Sequence, residues 1–129
     1  MYNQSIIFVG DRPSRDNTDL DVAFVGTESG ERLFKWIEYL DIYTYQALNV
    51  YTIDSKVDTK NCMYLRKHNG ATIVALGNNA SNVLKKLEIK HFKLPHPSGR
   101  NRKLNDKNYV ASELQKCREW LNERIGNNS

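Results

Sequence analysis

The chain predicts an α/β fold: a three-layer α/β/α sandwich around a mostly parallel, four-stranded central sheet. Three observations carry this. Two near-continuous apolar runs, Ser5-Ile6-Ile7-Phe8-Val9 and Ala71-Thr72-Ile73-Val74-Ala75-Leu76, each close on a glycine, Gly10 and Gly77, as strands covered on both faces do. Strand-like runs alternate with segments of helical spacing, and such alternation builds a parallel sheet with right-handed crossovers. No repeat, linker or low-complexity stretch interrupts the 129 residues, so 1–129 is expected to be a single domain.

Taken in order, the first strand runs into Gly10-Asp11-Arg12-Pro13-Ser14-Arg15-Asp16-Asn17. Loops at the carboxyl ends of strands are where open α/β sheets bind ligands, so this one is expected to be functional. Phe24 follows in the glycine-flanked segment 21–30, either as a core plug or as a stacking platform for a ligand ring. A helix is expected over 29–40, with Leu33, Phe34, Trp36, Ile37 and Leu40 inward and Glu31, Arg32, Lys35 and Glu38 outward. Residues 41–48 fit no pattern well, a short helix being the nearest.

A strand is expected over 49–54 with Asn49 at its start, where an amide is a turn former or is aimed into a pocket. The pattern then predicts a helix over 57–68, with Cys62, Met63 and Leu65 inward and Asn69-Gly70 as its stop. After the strand ending at Gly77, Asn78-Asn79 start a helix through Ala80, Val83, Leu84 and Leu87. The last strand, over 89–94, ends at Pro95-His96. A helix over 106–125 closes the domain with Tyr109, Val110, Leu114, Cys117, Trp120 and Leu121 on one face.

Hydrophobic residues make up 40% and charged residues 26%, a globular composition. No segment has the length of a membrane span and no secretory pattern opens the chain, so a soluble, cytoplasmic protein is expected. Cys62 and Cys117 have no CxxC spacing; buried thiols are expected rather than a zinc site or a disulfide. The net charge of +4 permits a nucleic-acid partner. Its distribution is more telling, because Arg100, Arg102, Lys103 and Lys107 fall within eight residues.

That cluster adjoins His96-Pro97-Ser98-Gly99-Arg100-Asn101-Arg102, a rigid turn that presents an imidazole and two guanidiniums at a strand end. Alone it is an ordinary basic loop. With Arg12 and Asn49 brought to the same edge of the sheet, it reads as an address for phosphate and base chemistry.

Five segments in order, IIFVGDRP, AFVGTESGERLF, LNVYTID, IVALGNNASNVL and LPHPSGRNR, resemble the uracil-DNA glycosylase superfamily. The likeness is closest to the bacterial and archaeal branch whose motifs read GEAPG and PFVG. It covers about residues 6–102, and the final motif is the most specific. The resemblance implies that Phe24 stacks on an extruded base, that Asn49 reads the base edge and that His96 faces the uracil O2. It further implies that Gly10, Asp11, Arg12 and Pro13 line the sugar and position water. Gly99 and Arg100 sit where the family wedges the duplex, and Ser98, Asn101, Arg102 and Lys103 are expected to extend that DNA contact.

The chemistry suits those roles. Cleaving an N-glycosidic bond sends negative charge into the departing base, so a donor fixed near O2 acts chiefly in the transition state. Extruding a base costs a few kcal/mol, which stacking of about 1–3 kcal/mol per base offsets. Lysines and arginines on phosphates make binding salt-dependent.

Two departures qualify the likeness. Arg12 stands where the most active branch has its water-activating aspartate, leaving Asp11 and Asp16 as the candidate carboxylates. The nearest branch carries four cysteines for an iron–sulfur cluster, which two cannot supply, so no cluster, metal or other cofactor is expected. The short chain suggests a trimmed, monomeric domain of phage or prokaryotic origin. The expected activity is monofunctional hydrolysis of uracil or a related damaged or modified base out of DNA. A catalytically weakened relative that binds DNA, a base or a nucleotide as sensor or decoy is the alternative. A generic nucleotide-binding domain is disfavoured, since no GxxxxGK[ST] or GxGxxG occurs.

Overall fold

A computed structural model describes residues 6–13, 27–98 and 101–126. Strands β1 (Ile6–Gly10), β2 (Tyr45–Asn49), β3 (Thr72–Leu76) and β4 (Phe92–Leu94) alternate with helices α1 (Glu28–Tyr39), α2 (Thr59–Lys67), α3 (Asn78–Lys86) and α4 (Lys107–Gly126). The sheet order is β2-β1-β3-β4, with every pairing parallel. This is the expected three-layer α/β/α architecture. β1 and β3 are central and buried at every position, which is why they read as unbroken apolar runs.

Side chains alternate across the sheet and so build two cores. On one face Ile6, Phe8, Val74 and Leu76 pack with Leu33, Trp36 and Ile37 of α1 and Leu114, Cys117 and Leu121 of α4. On the other, Ile7, Val9, Ile73 and Ala75 pack with Cys62 and Leu65 of α2 and Ala80 and Leu84 of α3. Both cysteines are buried free thiols. Burial pushes the Cys117 thiol up to about 12, so it behaves as a small apolar group.

Four expectations need correction. The second strand ends at Asn49 rather than starting there, and residues 45–48 are strand rather than helix. The β-prone residues that follow instead make a tight excursion, closed by the Tyr51–Val57 bridge and the Thr52 N–H to Lys56 O bond. β4 is only three residues long, because Ile89 N–H returns to Leu84 O to finish α3 with Glu88 at φ 58°. Phe34 and Met63, expected inward, are exposed: each flanks a stripe that Leu33, Trp36 and Ile37, or Cys62 and Leu65, already fill.

Candidate active site

Because all four strands run parallel, their carboxyl ends share one edge of the sheet. In the order β2-β1-β3-β4 the chain turns opposite ways from β1 and from β3, and the crevice outside those two strand ends is the ligand position such sheets favour. Asp11 follows β1, Asn49 closes β2, Gly77 follows β3 and His96 lies two residues beyond β4.

His96 is oriented by its own turn. Ser98 N–H donates to His96 Nδ1 at 3.1 Å, so in the neutral ring the proton lies on Nε2. Protonating Nδ1 would forfeit that bond. Burial likewise lowers the pKa of His96, while the nearby Asp11 carboxylate pulls it up by a smaller amount. The result is an imidazole held neutral, with its ring proton on Nε2.

The turn around it is braced from three directions. Arg32 of α1 donates to Pro97 O at 3.0 Å. Asn101 donates through Nδ2 to His96 O at 3.3 Å and through its backbone N–H to Ser98 O at 3.0 Å. Beneath the ring lies Gly77, at φ +94°, where a Cβ would come within 3.0 Å of His96 Cβ. Only glycine allows that approach.

Asp11 is fixed from α3. Asn79 Nδ2 donates to Asp11 Oδ2 at 2.9 Å, and Asp11 O accepts from Tyr51 N–H at 2.8 Å. The carboxylate therefore sits at the amino end of α3, where the helix dipole favours negative charge.

Asn49 pairs in register with Gly10 and is 7% exposed. Its Oδ1 is buried without a hydrogen-bond partner among the described residues. Such an atom costs about 1–3 kcal/mol unless a ligand satisfies it. Its backbone is held by Asn61, whose Nδ2 donates to Asn49 O at 2.9 Å and whose N–H is capped by Asp58 Oδ1 at 3.0 Å.

The structure thus brings His96 and Asp11 into electrostatic reach and sets Asn49 beside Gly10. Arg12 points elsewhere: it is exposed, and its Nη1 donates to Ser55 Oγ in the excursion after β2. Pro13 is half-buried next to it. Arg102 and Lys103 are exposed in a 3-10 turn, Arg102–Asn105, started by Asn101 Oδ1 accepting from Lys103 N–H. Asp16, Phe24, Gly99 and Arg100 lie outside the described residues.

Four residues not anticipated as part of the site hold it in place: Arg32, Asn61, Gly77 and Asn79. Of these, the sequence pattern points to Gly77 and Asn79 only as a strand stop and a helix start. Among the described residues no group of three or more histidine, cysteine or acidic side chains gathers as a metal site. No helix there is long and apolar enough to cross a membrane.

None of the curated proteins compared matches this chain. The family model described as the uracil DNA glycosylase superfamily matches residues 1–115, which takes in every strand and the whole strand-end cluster. With that match added to the parallel sheet and the neutral histidine at the end of its last strand, the chain belongs to the uracil DNA glycosylase superfamily.

Proposed function

We propose that the chain is a monofunctional DNA glycosylase that hydrolyses uracil, or a closely related modified base, from a nucleotide extruded from DNA. The observation that carries this reading is His96: half-buried, seated on Gly77, held neutral with its ring proton on Nε2, and within electrostatic reach of Asp11. As the C1′–N1 bond breaks, its electron pair passes to the base, and a preorganised N–H near O2 stabilises charge that the ground state lacks. A water oxygen then bonds to C1′ and its proton leaves through Asp11, whose carboxylate also steadies the cationic sugar. Asp16 is a second candidate for that role.

The unpartnered Oδ1 of Asn49 fits a base edge that carries an N3–H donor, as uracil does and cytosine does not. Gly10 and Pro13 border the sugar, Phe24 stacks on the base, and residues 98–103 meet the DNA backbone.

A second reading has its own observation. Arg12, in the position of the water-activating carboxylate, is engaged with Ser55, which favours a binder with weakened hydrolysis. Incubation with single- and double-stranded oligonucleotides carrying one deoxyuridine, followed by mass spectrometry of the released base, separates the two. Free uracil with an abasic product supports the glycosylase. Intact DNA that is nonetheless bound supports the binder.

A further inference from the structure

β2 is an outer strand of the sheet. Thr44 O accepts from Ile6 N–H, and Val50 N–H donates to Gly10 O, so even-numbered residues face β1. By alternation Tyr45 and Ala47 turn their backbone groups outward. Alongside this edge α2 leaves a cavity of about 620 Å³, walled by Ala47, Leu48, Met63 and Tyr64, with Lys60 and Lys67 also lining it. Met63 is 70% exposed. Tyr64 is tied to the strand by its hydroxyl, which donates to Gln46 Oε1 at 2.8 Å. Asn61 lines the same cavity and binds the backbone of Asn49, so the groove and the candidate base-reading residue share a wall.

We propose that this groove seats an unpaired stretch of DNA adjoining the nucleotide read at Asn49. The proposal rests on the reading that the strand ends take a base from DNA, and it names the strand form that serves them. Lys60 and Lys67 are seven residues apart on α2, about 10 Å along its axis, and so supply two cationic points for a backbone that runs along the helix. Between them the exposed Met63 thioether and the half-buried Tyr64 ring, whose other neighbour is His68, give apolar surface against which bases pack irrespective of sequence. A duplex keeps its base faces inside; only a single strand exposes them. A second copy of this chain fits less well, because two-fold pairing of β2 edges sets the α2 helices antiparallel and brings Lys60 toward Lys67 of the other copy. An apolar peptide leaves both ammonium groups without an anion.

The test is fluorescence anisotropy of the full chain with a labelled twelve-nucleotide single strand free of uracil, and with its duplex, across a salt series. The parent is expected to bind the single strand more tightly. The Lys60→Glu, Lys67→Glu double variant is expected to weaken that binding tenfold or more and to lower the salt slope by roughly 0.7 per lysine. Met63→Ser is expected to weaken it with no change in slope. Parental affinity and slope in the charge-reversed protein overturn the proposal, as does a concentration-dependent dimer that Met63→Glu dissociates. Since the probe contains no uracil, an inactive parent that still shows these effects contradicts the glycosylase reading alone. Release of uracil without dependence on either lysine contradicts the groove alone.

Discussion

Gly77 and His96 interlock across the ends of β3 and β4: a Cβ on residue 77 would stand 3.0 Å from His96 Cβ and 3.4 Å from its Cδ2. Gly77 also holds φ 94° and ψ 174°, a region that side-chain-bearing residues essentially do not occupy, at a cost of about 1–3 kcal/mol. Gly77→Ala is therefore expected to lower unfolding stability by that amount and to displace the imidazole, reducing single-turnover cleavage toward the level of His96→Ala. Urea titration and rate measurement on the same variant check both. Full stability together with full rate would show that the close approach constrains nothing.

The depressed pKa of His96 has a direction in pH. Burial favours the neutral ring in the folded state, so below 6.5, the ordinary value, the unfolded chain binds the proton that the folded one refuses. This contribution to stability is present above 6.5 and is lost as pH falls through the lower folded value. Cleavage that uses the neutral ring should persist to the same lower limit. Asp11→Asn removes the opposing attraction, so the midpoint should move down further. NMR titration of the His96 ring protons in parent and variant decides this, and a parental midpoint above 6.5 contradicts the assignment.

Among the described residues Asn49 Oδ1 is buried without a partner, a cost to the folded protein that the proposed base contact would relieve. Asn49→Leu is expected to leave stability unchanged or raise it by up to about 1 kcal/mol, while abolishing preference for uracil over cytosine. Asn61→Ala should have the opposite profile, with a loss of about 1 kcal/mol from the freed Asn49 carbonyl and a weaker but retained preference. Denaturation midpoints and competition between the two bases read these effects.

Among the described residues Arg12 is engaged at the surface, through Ser55. Arg12→Asp restores the carboxylate that the most active branch of the family carries there. It is expected to change stability by no more than about 0.5 kcal/mol. Cleavage should rise by as much as roughly a hundredfold, the scale of a positioned general base. A stable variant with an unchanged rate would mean that Asp11 already fills the role.

The parts of the fold most legible in the sequence are those buried on both faces. β1 and β3 announce themselves because every position is covered and each run stops at glycine. β2 does not, since an edge strand can leave Tyr45 and Gln46 exposed, and its polar–apolar alternation is too short to separate from a helix. For that reason the pattern puts Asn49 at the start of a strand, whereas it closes β2 and so shares the carboxyl edge with Asp11 and His96. His96 and Asp11 could be singled out because each follows a strand end. Arg32 and Asn79 could not, because their partners Pro97 and Asp11 lie 65 and 68 residues away and a single sequence carries no trace of such pairings.

Single-turnover cleavage of an oligonucleotide containing one deoxyuridine, by the parent and by His96→Ala, bears most directly on whether His96 stabilises the departing base. A drop in the mutant rate equivalent to about 2–4 kcal/mol, with DNA affinity retained, is the expected result. Equal rates in the two proteins would contradict it and remove His96 from the chemistry.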